Sequence, residues 1–371
     1  MQKNWNSLGL MSGTSGDGVD ASIIKTNGIN HYELINDKYF EYDSDIFKDI
    51  HSLKEKIHNQ DHLEIFNQDI LNLEKKITIF HAKLIKDLNI TEDTIVGFHG
   101  QTIYHNPDEK ISQQLGNGRL LHQLTNRNIV FNFRKNDILN GGQGAPLTPV
   151  FHHLICLQNK IRLPVCILNI GGISNITIIK DEENLSKLIS KDIGPGNCLI
   201  DSWVRKNSEK NFDKDGLLAL SGKRDEIIFE QAQELYSNRN NKNKLSFDTN
   251  DFDISFIRGL NLEDGAATLT DFTASIISEE LFLSLKDIKN FQNILVCGGG
   301  RKNKLLIKKI KKNLSSNINF KLIDDFKING DFVESQAFAF LAVRSFLQLP
   351  ISFPNTTNCK VPCTGGEIVR L

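Results

Sequence analysis

The chain has 371 residues, 39% hydrophobic and 24% charged, with a formal net charge of −1. This is an ordinary globular composition with length for about two domains, and the near-neutral balance gives no support to nucleic-acid binding or to a basic membrane patch. No apolar run approaches the roughly 18 residues of a membrane span, and residues 1–10 lack the apolar stretch of a signal peptide.

Six cysteines lie scattered at 156, 166, 198, 297, 359 and 363, with Cys166 and Cys297 inside apolar runs. Reduced thiols in a cytoplasmic protein are expected, rather than a disulfide framework. Residues 8–11 form an apolar run that stops at Ser12-Gly13-Thr14-Ser15-Gly16-Asp17-Gly18, and Val19 opens a second run to residue 24. Two strands joined by such a loop read as a hairpin. The glycines let backbone N–H groups point at an anion, and Ser12, Thr14 and Ser15 add hydroxyl donors. Asp17 and Asp20 offer carboxylates to Mg²⁺, directly or through water. A nucleotide-phosphate hairpin fits these residues; an ordinary tight turn uses the same types. It is not a Walker loop, because the Gly-Lys-Ser/Thr ending is missing and a strand follows.

Residues 29–43 read as a strand. Between 44 and about 88 the apolar residues Ile46, Ile50, Leu53 and Ile57, then Leu63, Phe66, Ile70, Leu73, Ile77 and Phe80, recur at helical spacing, which predicts two helices. A strand at 95–98 meets a polar stop, His99-Gly100-Gln101-Thr102. His99 and His105 are either ligands or acid–base groups, or histidines hydrogen-bonded at a strand end. Arg134 closes a strand at 129–133, where ligands meet the carboxyl ends of open sheets, and is a candidate clamp for a carboxylate or phosphate. Residues 141–146 are a loop and a helix opens at 149. A break at 159–163 divides the chain into domains 1–160 and 161–371, with the last helix free to pack back on the first.

A second hairpin, 165–170 and 173–179 around Gly171-Gly172, suggests a duplicated architecture. Asp192-Ile193-Gly194-Pro195-Gly196-Asn197 reads as a loop feeding a helix at 199–204, with Asp192 either a base or a helix cap. Residues 210–255 are polar and irregular except for a helix near 224–236, and 266–283 is helical. A strand at 294–297 runs into Gly298, Gly299 and Gly300 and then a basic helix, an arrangement suited to the adenosine end of a nucleotide. The helix at 333–347 carries Glu334 in its first turn. Cys359 and Cys363, with three residues between them, are too sparse for zinc.

Glycine hairpins in two halves, acids at loop ends and no lysine phosphate motif form the pattern of actin- and hexokinase-like phosphotransferases. The segments MSGTSGDGVDAS, GFHGQTIYHNP, QLGNGRLL, FNFRKND, GGQGAP, NIGGISNIT, DIGPGNCLIDSW, AATLTDFTA, VCGGGRKN and ESQAFAFLAVR, in this order over nearly the whole chain, resemble the anhydro-N-acetylmuramic acid kinase family. The resemblance implies two actin-like (ribonuclease H-like) α/β domains around a central ATP and substrate cleft. It also implies a cytoplasmic homodimer using ATP and Mg²⁺, and conversion of 1,6-anhydro-N-acetylmuramic acid to N-acetylmuramic acid 6-phosphate in cell-wall recycling. By match to its motifs Asp192 is the catalytic base and Glu334 an acid near the sugar. Residues 13–20 bind ATP together with the glycines at 171–172 and 298–300, and Gln101, Arg134 and Asn197 meet the sugar. Asn117 and Asn132 stand where Asp is common in that pattern, and Gly16 where a larger apolar residue is common.

Overall fold

The computed structural model describes residues 3–237, 246–247 and 251–370. Packing gathers them into two units: Met1–Ile161 with Glu182–Ile189 and Asp331–Leu371, and Arg162–Asp181 with Ser190–Gly330. The last stretch of the chain therefore belongs with the first unit, and the second is inserted between its parts.

In the first unit the elements run β1 (Trp5–Ser12), β2 (Gly18–Thr26), β3 (Tyr32–Glu41), α1 (Ser44–Lys56), α2 (Gln60–Ile65), α3 (Asn67–Asp87), β4 (Ile95–Asn106), β5 (Ile111–Leu115), α4 (Gly118–Thr125), β6 (Asn128–Phe131), α5 (Lys135–Leu139) and α6 (Pro149–Gln158). The sheet order is β6-β4-β1-β2-β3, with β5 added on β4. β1 is antiparallel to β2, β2 to β3, and β1, β4 and β6 run parallel. Central strands covered on both faces lose polar alternation, which is why residues 7–12 are all buried. One core joins Leu8, Leu10 and Phe98 of the sheet to Ile50 and Leu53 of α1 and Ile77 of α3.

Three departures from the sequence reading stand out in this unit. The 44–88 region holds three helices, since Asn59 accepts the His62 N–H and starts the short α2. β4 does not stop at residue 98: β5 pairs with its second half, so the polar residues lie inside a strand. β6 ends at Phe131, and Asn132 turns the chain at φ +54°.

The second unit runs β7 (Val165–Ile170), β8 (Ile173–Ile179), β9 (Ile189–Pro195), α7 (Cys198–Asn207), α8 (Leu217–Ser221), α9 (Glu226–Ser237), α10 (Leu262–Leu285), β10 (Asn293–Cys297), α11 (Lys304–Asn313) and β11 (Asn319–Leu322). Its sheet order is β11-β10-β7-β8-β9. β7 is antiparallel to β8 and parallel to β10, which is parallel to β11. This is the path of the first sheet repeated, so the architecture is two actin-like α/β domains. α10 is buried on most sides and carries Leu269, Phe272 and Ile276 against Leu199, Ile200 and Trp203 of α7. Asp192, expected in a loop, lies within β9. Of the segment 210–255 read as irregular, 238–245 and 248–250 lie outside the described residues.

The chain then returns to the first unit as α12 (Val333–Phe346), α13 (Pro354–Thr357) and β12 (Glu367–Val369), which pairs antiparallel with β6. Gly9 and Gly97 face each other across the parallel β1–β4 ladder. A Cβ at Gly9 would stand 1.9 Å from the Ser335 carbonyl oxygen, and one at Gly97 would stand 2.4 Å from that of Phe338. Only glycine lets the α12 backbone lie this close to the sheet. Among the described residues no helix is long and apolar enough to cross a membrane.

Candidate functional site

β1 and β4 present their carboxyl-directed ends to the same edge of the first sheet, where such sheets take ligands. The turn after β1 is tight: the Gly16 N–H donates to the Gly13 carbonyl at 3.2 Å, and Gly16 takes φ +65°. Ser15 Oγ donates to Asp17 Oδ1 at 2.6 Å, and Lys54 Nζ donates to the Thr14 carbonyl at 2.7 Å. Asp17 is exposed and Asp20 half-buried, whereas Val19 is wholly buried in the core and leaves a ligand only its backbone. At Gly18 a Cβ would stand 2.4 Å from the Phe40 carbonyl, so close strand pairing requires glycine there. Gln101 braces the turn from β4. It is fully buried, its Nε2 donates to the Gly13 carbonyl at 3.0 Å, and its Oε1 has no hydrogen-bond partner among the described residues.

Beside Gln101, His99 settles how Arg134 is held. His99 Nδ1 lies 2.8 Å from the Gly100 carbonyl, which places the proton on Nδ1, and Nε2 accepts from Arg134 Nη2 at 3.0 Å. Burial, then the Arg134 charge, pushes His99 down to about 3, so the ring is neutral and an acceptor at neutral pH. His99 is thus a strand histidine that orients the guanidinium, and Phe338 of α12 lies on its ring at 4.6 Å. His105 pairs with Ser112 Oγ at 2.9 Å.

Glu334 is half-buried in the first turn of α12. The Ala339 carbonyl accepts from Ser7 Oγ at 2.8 Å while the Ser335 carbonyl lies over Gly9, so this first turn points toward the carboxyl end of β1. The two residues after Glu334 hold it there. Ser335 Oγ meets Ser22 Oγ at 2.6 Å, and Gln336 Nε2 donates to Asp37 Oδ2 at 3.0 Å. Burial lifts the Asp37 carboxyl above its ordinary range, and the Ser22 and Gln336 hydrogen bonds oppose that.

The second unit repeats the arrangement. Gly171 and Gly172 turn their carbonyls onto the segment after β9: Gly172 accepts from Gly196 N–H at 2.8 Å and Cys198 N–H at 3.1 Å, and Gly171 accepts from Asn197 N–H at 2.8 Å. A Cβ at Gly196 would meet the Gly171 oxygen at 2.3 Å. Asp192 is 8% exposed, and its Oδ2 accepts the Phe247 N–H at 2.7 Å. It does not cap α7: the residue before that helix is Asn197, whose side chain makes no cap bond among the described residues. At 298–300, Cβ atoms on Gly298 and Gly300 would stand 2.3 Å from Asn169 Oδ1 and 2.2 Å from Ile170 Cγ2, while one on Gly299 would meet nothing within 4 Å. Two of the three glycines answer to packing against β7, and Gly299 faces open space. Arg301 locks the loop, donating to Asp324 at 2.7 and 2.9 Å and to the Gly298 carbonyl at 3.1 Å.

A family model described as anhydro-N-acetylmuramic acid kinase matches residues 6–370. The chain belongs to this family. An anhydro-N-acetylmuramic acid kinase of Pelagibacter ubique is 54% identical, with all of both chains covered. Proteins of the same name from Zymomonas mobilis and Agrobacterium fabrum are 38% and 33% identical, over 97% and 98% of this chain and 98% of each relative. Among solved structures, the activator of the 2-hydroxyisocaproyl-CoA dehydratase from Clostridium difficile with bound ADPNP aligns at 12% identity and TM-score 0.42, over 91% of this chain and 94% of that one.

The three positions set apart in the sequence, Asn117, Asn132 and Gly16, have local surroundings that suit the residues present. Asn117 caps α4, accepting the Leu120 N–H at 2.9 Å, a role Asp fills equally. Asn132 donates to Glu367 Oε1 at 3.2 Å, where an aspartate would set two carboxylates together. At Gly16 a Cβ would press on Ile50 Cγ2 at 2.9 Å. Lys54, Arg301 and Asp324 were not singled out in the sequence. Lys54 shares its spacing with the solvated face of α1, and the Arg301–Asp324 pair spans 23 residues.

Proposed function

We propose that the protein is an ATP-dependent kinase that opens 1,6-anhydro-N-acetylmuramic acid and releases N-acetylmuramic acid 6-phosphate and ADP, in the cytoplasm and as a homodimer. The observation that carries it is Asp192, a nearly buried carboxylate on a strand and fixed by a backbone N–H, in a chain whose family match spans residues 6–370. In the anhydro-sugar O6 is bound to C1 and has no proton. Asp192 takes a proton from water as the water oxygen bonds to C1; the C1–O6 bond breaks, and O6 takes the γ-phosphoryl group while ADP departs. This joins the base of an inverting glycosidase to an in-line phosphoryl transfer.

Residues 13–20 hold the phosphates through backbone N–H groups and hydroxyls, with Gly171 and Gly172 backing the second hairpin and Gly299 beside the adenosine. Arg134, oriented by His99, pairs with the lactyl carboxylate; Gln101 and Asn197 complete the sugar contacts, and Glu334 helps hold the water. Oxygen donors suit Mg²⁺, which takes one or two carboxylates plus phosphate oxygens; the exposed Asp17 and the half-buried Asp20 are the residues that would hold it. Bound there, the ion neutralises phosphate charge.

The test is ADP release in ¹⁸O-water. Release that depends on the anhydro-sugar, with label at C1 and none in the phosphate, is expected. Equal turnover with glucose, or label in the phosphate, refutes the reading.

A further inference from the structure

Asp137 on α5 is 1% exposed. Three neutral donors hold it: Ser352 Oγ at 2.5 Å and Thr357 Oγ1 at 2.6 Å on Oδ1, and the Gly144 N–H at 2.7 Å on Oδ2. The GGQGAP turn wraps it so closely that a Cβ at Gly142 would stand 2.1 Å from Oδ2. A carboxylate offers about four lone-pair sites, so one remains, on Oδ2. Cys359 and Cys363, 2% and 3% exposed and both free, complete the cluster. One ligand atom from each of the three residues lies within 4.8 Å of the other two. A buried carboxylate is ordinarily balanced by a cation or a metal; the partners here are neutral.

We infer that Asp137, Cys359 and Cys363 bind a thiophilic divalent cation of the Zn²⁺ kind. Sulfur excludes a hard ion such as Mg²⁺, and two thiolates with one carboxylate are donors that zinc accepts at four-coordination. The fourth place falls to water or to the hydroxyl of Ser352 or Thr357, both of which reach Cys359. Uptake breaks two S–H bonds, forms two metal–sulfur bonds and releases two protons to solvent. The bound ion would clip the segment around residues 352–363 to α5, which begins directly after Arg134. A disulfide is the competing outcome. The two cysteines alone are too sparse for a metal; the fold adds the third ligand from more than 200 residues away.

The experiment titrates the fully reduced wild-type protein with Co²⁺ and follows thiolate-to-cobalt charge-transfer absorption. One equivalent is expected to bind and to be displaced by Zn²⁺. Affinity should fall at least about tenfold in Cys359→Ser/Cys363→Ser and in Asp137→Asn, and stay unchanged in Cys198→Ser. No band in the wild-type protein overturns the inference whether or not the variants fold, as does a band that survives the double substitution. Purified protein showing two fewer titratable thiols than its six cysteines, restored by reductant, also overturns it in favour of a disulfide.

Discussion

Replacing Asp192 by Asn tests the proposed chemistry with little change in shape. The carboxylate accepts the Phe247 N–H at 2.7 Å through Oδ2. An asparagine keeps that bond by turning its oxygen to Phe247, which leaves its NH₂ where Oδ1 stood, a group that cannot take a proton from water. General-base catalysis is worth about 10²–10⁴-fold, or about 3–5 kcal/mol of barrier at 1.36 kcal/mol per decade. The structural cost is smaller, because a hydrogen bond to a charged acceptor exceeds a neutral one by only about 1 kcal/mol. The variant should therefore lose two to four decades of kcat in a coupled ADP assay, bind ATP as wild type does by calorimetry, and keep its Tm within a few degrees. A kcat within tenfold of wild type would show that Asp192 is not the base. Loss of ATP binding would show that its role is to hold the second unit together.

Other expectations follow from the same contacts. His81, His99 and His152 are buried and pushed down to about 4, 3 and 3 from 6.5. Their folded values lie below the unfolded one, so the unfolded chain binds more protons between pH 6.5 and about 3, and stability falls as pH drops through that window. Calorimetric Tm should decline steadily below pH 6.5, and a flat Tm from pH 7 to 5 contradicts this. Gly97→Ala forces a methyl to 2.4 Å from the Phe338 carbonyl, so α12 must shift, at about 1–3 kcal/mol in urea unfolding; an unchanged midpoint refutes the close-packed seam. Asn132→Asp sets a second carboxylate near Glu367 but should cost under about 1 kcal/mol at this partly exposed place. It should leave the sugar KM unchanged, because Asn132 reaches Glu367 and not Arg134; a tenfold rise in KM would tie Asn132 to the substrate.

The hairpin around Gly171-Gly172 was legible to the residue, since residues 165–170 and 173–179 are the bounds that β7 and β8 show. Local apolar periodicity and glycine punctuation carry that information. The second half of β4 was not legible, because His99, Gln101 and Thr102 look like a stop until β5, the Gly13 carbonyl and Arg134 supply partners. Asp192 sits between residues that read as a glycine loop, yet Gly194 stays within the strand at φ +135°, a backbone conformation that favours glycine. The recruitment of α12 to the first sheet left only a faint trace in the sequence. Gly9 and Gly97 are its footprint, but a glycine in a strand pattern can equally mark a bulge or a ligand approach. Asp137 looks like one charge in a polar segment, and its burial depends on hydroxyls 215 and 220 residues away.

The seam at Gly9 and Gly97 sets an order on synthesis. The helix that fills it lies at residues 333–346, after every residue of the inserted unit. A nascent chain holding β1 to α6 presents a sheet face with no side chain at its centre, and its covering helix is not yet made. The inserted unit has all its elements before that helix leaves the ribosome, so it can finish folding first. The domain begun first is then closed last, and a chain released before α12 would leave uncovered the Gly9–Gly97 face, opposite the one where Leu8 and Phe98 meet α1 and α3. Chaperone demand should accordingly follow translation of the last 41 residues, Asp331–Leu371, more closely than that of the first 161.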